Sequence, residues 1–389
     1  MIAEMIEIKT LGDVYDVRDG THDSPKYQDE GYALITSKNL KPEGLNRNKV
    51  KFISEVDFQK INERSQVHVG DILFAMIGTI GNPVIVEETP DYAIKNVALF
   101  KVDKHQSSKY LRYYLLSDYV ISKMQKEAKG TTQRFVGLGY LRKFPIPIPS
   151  LPEQERIVAI LDTAFEAIDQ AKQNVERNLH NAKELFQSKL NEVFSQKGDG
   201  WVEGTVGDIG KVSMCKRILK HQTTPTGDIP FYKIGTFGKE PDAFISKDIY
   251  NEFREKFSFP KEGDVLISAS GTIGRRVIYD GKPAYFQDSN IVWIDNDEQQ
   301  VLNDYLFQFY GGCDWNSTKG ATISRLYNSN LRQIRISFPK SLEKQQLIVH
   351  QLETLSVQTK ELETNYTQKL TELEDLKKSL LERAFKGEV

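Results

Sequence analysis

Only two cysteines, Cys215 and Cys313, occur among 389 residues. That excludes a disulfide framework and points to a reducing, cytoplasmic setting. No apolar run approaches the roughly 18 residues of a membrane span, and the first ten residues lack the apolar core of a secretory signal. The six histidines (His22, His68, His105, His180, His221, His350) are scattered. They show no His-x-x-x-His spacing and no Cys/His quartet, so no zinc site is legible. A Walker lysine loop is missing, as is a G-x-G-x-x-G that opens a helix after a strand. No Asp- or Asn-Pro-Pro-aromatic element suited to amino methylation occurs, nor a carboxylate cluster beside lysine in both halves. Charge of one sign is also lacking: 52 Lys and Arg face 54 Asp and Glu, for a net charge of −2. Net charge therefore neither marks nor excludes a nucleic-acid partner. The chemistry of a binder remains.

What the chain does have is a second copy of itself. Thr10-Leu11-Gly12-Asp13-Val14 returns as Thr205-Val206-Gly207-Asp208-Ile209, 195 residues later. Gly70-Asp71-Ile72-Leu73 returns as Gly263-Asp264-Val265-Leu266, and each runs on into Gly-Thr-Ile-Gly (Gly78 to Gly81, Gly271 to Gly274). Leu141-Arg142 returns as Leu331-Arg332, and Ile157-Val158 as Ile348-Val349. Two long copies imply two similar modules, not a solenoid of short repeats. The length also exceeds what one core usually supports.

Each copy reads as a mixed region followed by a helix. Short β-rich runs (Asp71–Phe74, Val84–Val86, Val97–Phe100, and Asp264–Ile267, Val277–Tyr279, Asn290–Trp293) are punctuated by Gly, Pro and Asn, which predicts an α+β unit. Helices are expected over Tyr110–Met124 and Leu302–Tyr310. Each mixed region closes on a proline-rich extension, Pro145 to Pro149 or Ile336 to Pro339, where proline is expected to stop sheet pairing. Ser150 with Glu153 reads as a capping box with Pro152 in the first turn. Apolar or small residues then recur at Ile157, Leu161, Ala164, Ile168, Ala171, Val175, Leu179, Ala182 and Phe186. The same steps recur at Ile348, Leu352, Leu355, Thr359, Leu362, Tyr366, Leu370 and Leu373. Matching seams predict a coiled coil between the two helices, and connectivity makes it antiparallel. Burial of each helix against its own domain is the alternative. The expected domains are residues 1–150, a spacer helix at 151–197, a second unit at 198–340 and a C-terminal helix at 341–389, giving a pseudo-two-fold internal repeat.

Candidate site residues lie on loops. The Gly-Thr-Ile-Gly turns could cradle phosphate on backbone N–H groups or could simply be tight turns between strands. Arg275 and Arg276 follow the second turn and favour phosphate there. Thr132, Gln133 and Arg134 follow Gly130, and Thr322 and Arg325 follow Gly320; hydroxyl, amide and guanidinium groups suit base edges and phosphates, or a solvated loop. Lys216 and Arg217 form a short basic cluster that also fits a solvated face. Asp19-Gly20-Thr21-His22 is a turn in which His22 could face a nucleic acid.

The alternation of two α+β domains with two long helices, with Gly-Asp-Ile-Leu-Phe…Gly-Thr-Ile-Gly and Ile146-Pro147-Ile148-Pro149-Ser150-Leu151-Pro152-Glu153-Gln154-Glu155-Arg156-Ile157, closely resembles the specificity (S) subunit of type I restriction–modification systems. The opening Asp19 to Pro25 and Thr36-Ser37-Lys38-Asn39-Leu40 also resemble target-recognition sequence of that family, which adds Lys38 and Asn39 to the expected DNA face. The second copy departs, with Lys220-His221-Gln222-Thr223 and Lys233-Ile234-Gly235-Thr236 in their place, and its exit keeps only Gln345 of the Pro-Glu-Gln-Glu run. The resemblance implies two target-recognition domains reading unlike halves of a bipartite, asymmetric double-stranded DNA target. It implies docking of two methyltransferase subunits on the helices, S-adenosylmethionine bound by those partners and no cofactor or metal on this chain, and motor–nuclease subunits as further partners. A self-sufficient DNA-modifying enzyme and a coiled-coil protein-binding scaffold are the competing expectations.

Overall fold

Thr10 starts a single helical turn, Leu11–Val14, and the Asp13 carboxylate accepts from both its backbone N–H (3.1 Å) and its hydroxyl (2.6 Å). Asp208 does the same for Thr205 at 2.8 and 2.7 Å. These bonds, the Thr hydroxyl first and then the Thr N–H, hold both carboxyls below their ordinary pKa. Gly12 and Gly207 let this turn press on the helices Leu138–Lys143 and Asn328–Arg332: a Cβ on Gly12 would lie 2.9 Å from the Arg142 carbonyl oxygen, and one on Gly207 3.0 Å from that of Arg332. Two motifs that are far apart in sequence therefore form one joint, twice.

The computed structural model describes residues 7–313, 315, 318–319 and 324–389. It falls into two compact units, one of Met1–Val175 with Gln368–Val389 and one of Glu176–Thr367. In the first unit a four-stranded sheet runs in the order Asp16–Asp19, Val97–Lys101, Ile72–Ala75, Gly81–Ile85. A second sheet has Tyr32–Thr36 at its centre, antiparallel to Lys51–Ile53 and parallel to Tyr92–Lys95. The second unit repeats both sheets, including the parallel pair Ile229–Tyr232 with Tyr285–Phe286. Gly70 and Gly263 take φ values of 90° and 89°, a backbone state that favours glycine, and their Asp neighbours turn back to cap the same bends.

The proline-rich exits do pair, contrary to expectation. Pro145–Ile148 lies antiparallel to Glu7–Thr10, and Arg335–Pro339 to Trp201–Thr205. Successive residues of a strand point their N–H and C=O to opposite edges, so Pro145 and Pro147, two apart, put their missing donors on the same side. On that side their carbonyls accept from tyrosine hydroxyls instead, Tyr114 to Pro145 and Tyr110 to Pro147 (2.8 Å). Tyr305 bonds Ser337 likewise in the second unit (2.9 Å).

The expected helix over Tyr110–Met124 is two helices, Ser108–Leu116 and Asp118–Glu127, broken at Ser117, whose ψ is 145° and whose hydroxyl bonds the Tyr114 carbonyl. The long helices span Leu151–Phe194 and Leu342–Phe385. At the first start the Ser150 carbonyl accepts from the Glu153 and Gln154 N–H groups while Glu153 pairs with Arg156, so among the described residues the expected capping box does not form. Within the first unit the helices run antiparallel, as Asp169 meets Lys377 and Lys172 meets Glu374. There Leu161 is fully buried, worth about 1.5–3 kcal/mol. Phe385 packs edge-on against Tyr110 and Tyr114, and Phe194 repeats this in the second unit against Tyr305 and Phe309. Leu190, Val193, Ile348 and Leu352 share the second unit's core. Leu362 breaks the expected seam, being 39% exposed.

Candidate nucleic-acid interface

In the first unit the chain leaves strand Tyr32–Thr36 through the turn Ser37–Asn39 and returns at Lys51. Asn39 shapes this loop. Its Oδ1 accepts from the Thr36 N–H (3.0 Å) and hydroxyl (2.9 Å), and its Nδ2 donates to the Asn46 carbonyl (3.0 Å). Asn82 ties down the Leu40 carbonyl at 2.9 Å. Across from the loop, Gly78 N–H donates to the Arg134 carbonyl (2.8 Å) and Ile77 bridges Phe135, so the Gly-Thr-Ile-Gly turn and the loop after Gly130 are one wall.

Between them lies a groove of about 670 Å³ lined by Lys38, Lys41, Lys49, Lys51, Asn39, Asn46, Asn48, Asn96, Gln133, Tyr27 and a few apolar and hydroxyl groups. Among the described residues no carboxylate lines it. Lys51 Nζ sits 4.4 Å over the Tyr27 ring. The segment carrying Tyr27 is pinned by the buried Lys95, whose Nζ donates to the Asp23 carbonyl (2.8 Å) and to the Ser24 hydroxyl (2.6 Å). His22 spans Asp19 (2.9 Å) and Asn96 (2.8 Å), with Arg64 on the other Asp19 oxygen. A second depression, lined by Glu43, Glu87, Glu88, Asp91 and Asp162 together with Arg47, Lys109 and Arg112, mixes both signs. An anionic polymer fits the first and not the second.

Of the residues singled out from sequence, Lys38, Asn39 and Gln133 come together on this groove. Asn39 is 7% exposed, and its side-chain oxygen and nitrogen both bond groups of its own loop, the placement of a loop former. Thr132 and Arg134 are exposed on the same loop but do not line the groove; Arg134 donates to the Gln125 carbonyl at 3.0 Å. In the second unit the cations are engaged. Arg217 pairs with Asp288 (2.9 Å), Arg275 donates to the Phe237 carbonyl (2.9 Å), and Lys216 lies 4.9 Å over the Phe257 ring. Arg276 opens a strand and points to the opposite face from Arg275. Its guanidinium lies 4.5 Å over Phe307, burial lowers its pKa, and its Nε has no partner among the described residues. That is the place of a packing group, unlike the exposed lysines of the first unit. Arg325 is exposed, 5.9 Å from the Tyr327 ring, and bridges Ser270 as Phe135 bridges Ile77, so Arg134 and Arg325 are not register equivalents. Thr322 lies outside the described residues.

The Gly-Thr-Ile-Gly segments are hairpin turns. Gly274 N–H donates to the Ser268 carbonyl, and the Ser268 hydroxyl accepts from Arg275 N–H and donates to the Thr272 carbonyl. In the second copy the Gly274 and Arg275 N–H groups are thus engaged within the turn. Sequence reasoning missed Tyr27, Lys41, Asn46, Asn48, Lys49, Lys51 and Asn96. The alternation Asn46-Arg47-Asn48-Lys49-Val50-Lys51 is a readable signal of a basic, amide-rich edge. In the second unit Thr236 takes over from Asn39, its hydroxyl accepting from Lys233 N–H at 3.1 Å. Among the described residues no three His, Cys, Asp or Glu groups are arranged to hold a metal, and no helix is long and apolar enough to cross a membrane. Burial pushes the Cys215 thiol up to about 12, so it is no nucleophile at neutral pH.

Comparison with known proteins gives one family. The type I restriction modification DNA specificity domain matches residues 4–177 and again 198–372. A putative type I restriction enzyme specificity subunit, S.HindORF215P of Haemophilus influenzae, is 50% identical over 222 residues, 56% of this chain and 57% of that protein, so the match spans a little over half the relative's length. The StySPI specificity subunit of Salmonella potsdam is 20% identical over 93% of this chain and 83% of its own. Among solved structures, a chain from a study of complex assembly and conformational transition of the type I R-M system superposes with a TM-score of 0.75 at 18% identity, covering 98% of both chains. The HsdS subunit from Thermoanaerobacter tengcongensis gives 0.61 at 19% identity over 98% and 97%. These structures share the fold.

Proposed function

The chain belongs to the type I restriction modification DNA specificity family, and from that premise we propose that it is the address reader of such a system, each unit reading one half of a bipartite, asymmetric DNA target. One observation carries this reading: the joints of the two units are the same while their loops are not. Gly12 and Gly207, Gln154 and Gln345, Tyr110 and Tyr305 hold matching positions and partners. The loop at Thr36 to Asn39 is replaced outright at Lys233 to Thr236. A scaffold kept constant under exchanged surfaces is what two unlike half-sites require.

The long helices expose Leu185, Leu347, Val357 and Leu376, apolar groups suited to partner subunits. Two methyltransferase subunits dock there in a 2:1 assembly, carrying the S-adenosylmethionine, flipping the target base and performing the chemistry. Motor–nuclease subunits join that core to cut unmodified DNA. This chain turns over nothing itself. Native mass spectrometry of the chain with its cognate modification subunit in excess tests the assembly, and a spectrum with only the isolated chain contradicts it. Labelled S-adenosylmethionine and DNA incubated with the chain alone should yield no methylated product; product formation would establish the enzyme reading instead.

A further inference from the structure

Resting on the DNA-reading function just proposed, we infer that the two units divide the electrostatic work unequally. The first unit grips DNA phosphates through Lys38, Lys41 and Lys49, whereas the second contributes few phosphate contacts from the corresponding loop.

The two loops are structurally equivalent, each leaving the central strand of the three-stranded sheet. Residues 37–50 carry Lys38, Lys41, Arg47 and Lys49 against Glu43 alone. Residues 233–243 carry Lys233 and Lys239 against Glu240 and Asp242. Pairing sharpens the contrast. Lys38, Lys41 and Lys49 are exposed and form no ion pair among the described residues, and they share a groove that no described carboxylate lines. Arg47 is turned away to Asp91 at 2.8 Å. In the second unit Lys233 is neutralised by Asp242 at 2.8 Å, and Arg217 by Asp288. A carboxylate beside a lysine also stays beside any phosphate that docks there, and its repulsion offsets part of the attraction and lowers the counterion release. Lys49 adds a positional argument: its φ of 62° is uncommon for a side-chain-bearing residue, and it stands at the groove rim.

The salt dependence of binding reports how many phosphates a protein neutralises, so the test needs no knowledge of the target sequence. The full chain is titrated against a fluorescein-labelled, mixed-sequence DNA duplex over a salt series. The slope of log affinity against log salt should fall by about two to three in the K38Q/K41Q/K49Q variant, each neutralised phosphate contributing about 0.9. It should fall by less than about one in K233Q/K239Q, and K38R/K41R/K49R should keep the parent slope, separating charge from folding. An unchanged slope in the first variant, or an equal fall in the second, overturns the inference while leaving DNA reading intact. A parent chain that binds no duplex even at low salt overturns the functional reading itself.

Discussion

Gln154 and Gln345 make the same three-way clamp. Each is fully buried at the start of a long helix, and its amide donates to a carbonyl at the close of the exit segment, Pro149 just after the first strand at 3.0 Å or Pro339 at the end of the second at 2.8 Å. Each Oε1 accepts a backbone N–H from the loop before the unit's helix, Ser107 (3.0 Å) or Leu302 (2.9 Å). The other amide hydrogen goes to Gln106 or to the Gln300 carbonyl. Replacing either with leucine strands buried donors and acceptors at about 1–3 kcal/mol each. Hydrogen exchange should therefore speed up at Ser107 but not Leu302 in Gln154→Leu, with the reverse pattern in Gln345→Leu. Unchanged protection in both would show that the clamp is dispensable.

Gly12→Ala and Gly207→Ala should each lower the melting temperature of the unit concerned. The added methyl meets backbone of the opposing helix at 2.9 or 3.0 Å, so the joint must open, at a cost of about 1–3 kcal/mol. Calorimetry of each variant checks this, and a melting profile identical to the parent's would mean the helices have room to shift.

Residues 174–181 lie inside the uninterrupted helix Leu151–Phe194. Inserting four residues there advances the helix by about 6 Å and adds roughly 40° of rotation beyond a full turn. The variant should accept a different spacing between half-sites and the same two half-site sequences, as read by selection from a randomised duplex library. Altered half-site sequences at the old spacing would place base reading on the helix.

Elements whose cause is local are legible from sequence. The helical seam positions Ile157 and Leu161 are read directly from their spacing, whereas the Gly-Asp repeats and the retained Gln345 show only as recurring residues, their bend and clamp appearing in the fold. The exit strands depart from expectation because proline excludes only one edge of a strand, and the tyrosines that satisfy that edge arrive from more than thirty residues away. The site is half legible for the same reason. Lys38 and Gln133 are visible as loop groups, but Lys49, Lys51, Asn96 and Tyr27 join them only through the return of the chain beside Thr36. Arg276 shows the converse: next to Arg275 in sequence, it faces the other side of its strand and packs on Phe307.

The central claim, one unit for each half of a divided target, is tested most directly by methylome sequencing of cells expressing the chain with its modification subunits. The predicted result is a motif of two unlike short halves separated by a fixed number of unspecified bases. In cells carrying Gln133→Ala, a groove residue of the first unit, discrimination should relax in one half only, by about 1–3 kcal/mol at the base whose hydrogen bonds are removed. A continuous motif, or relaxation of both halves together in that variant, would contradict it.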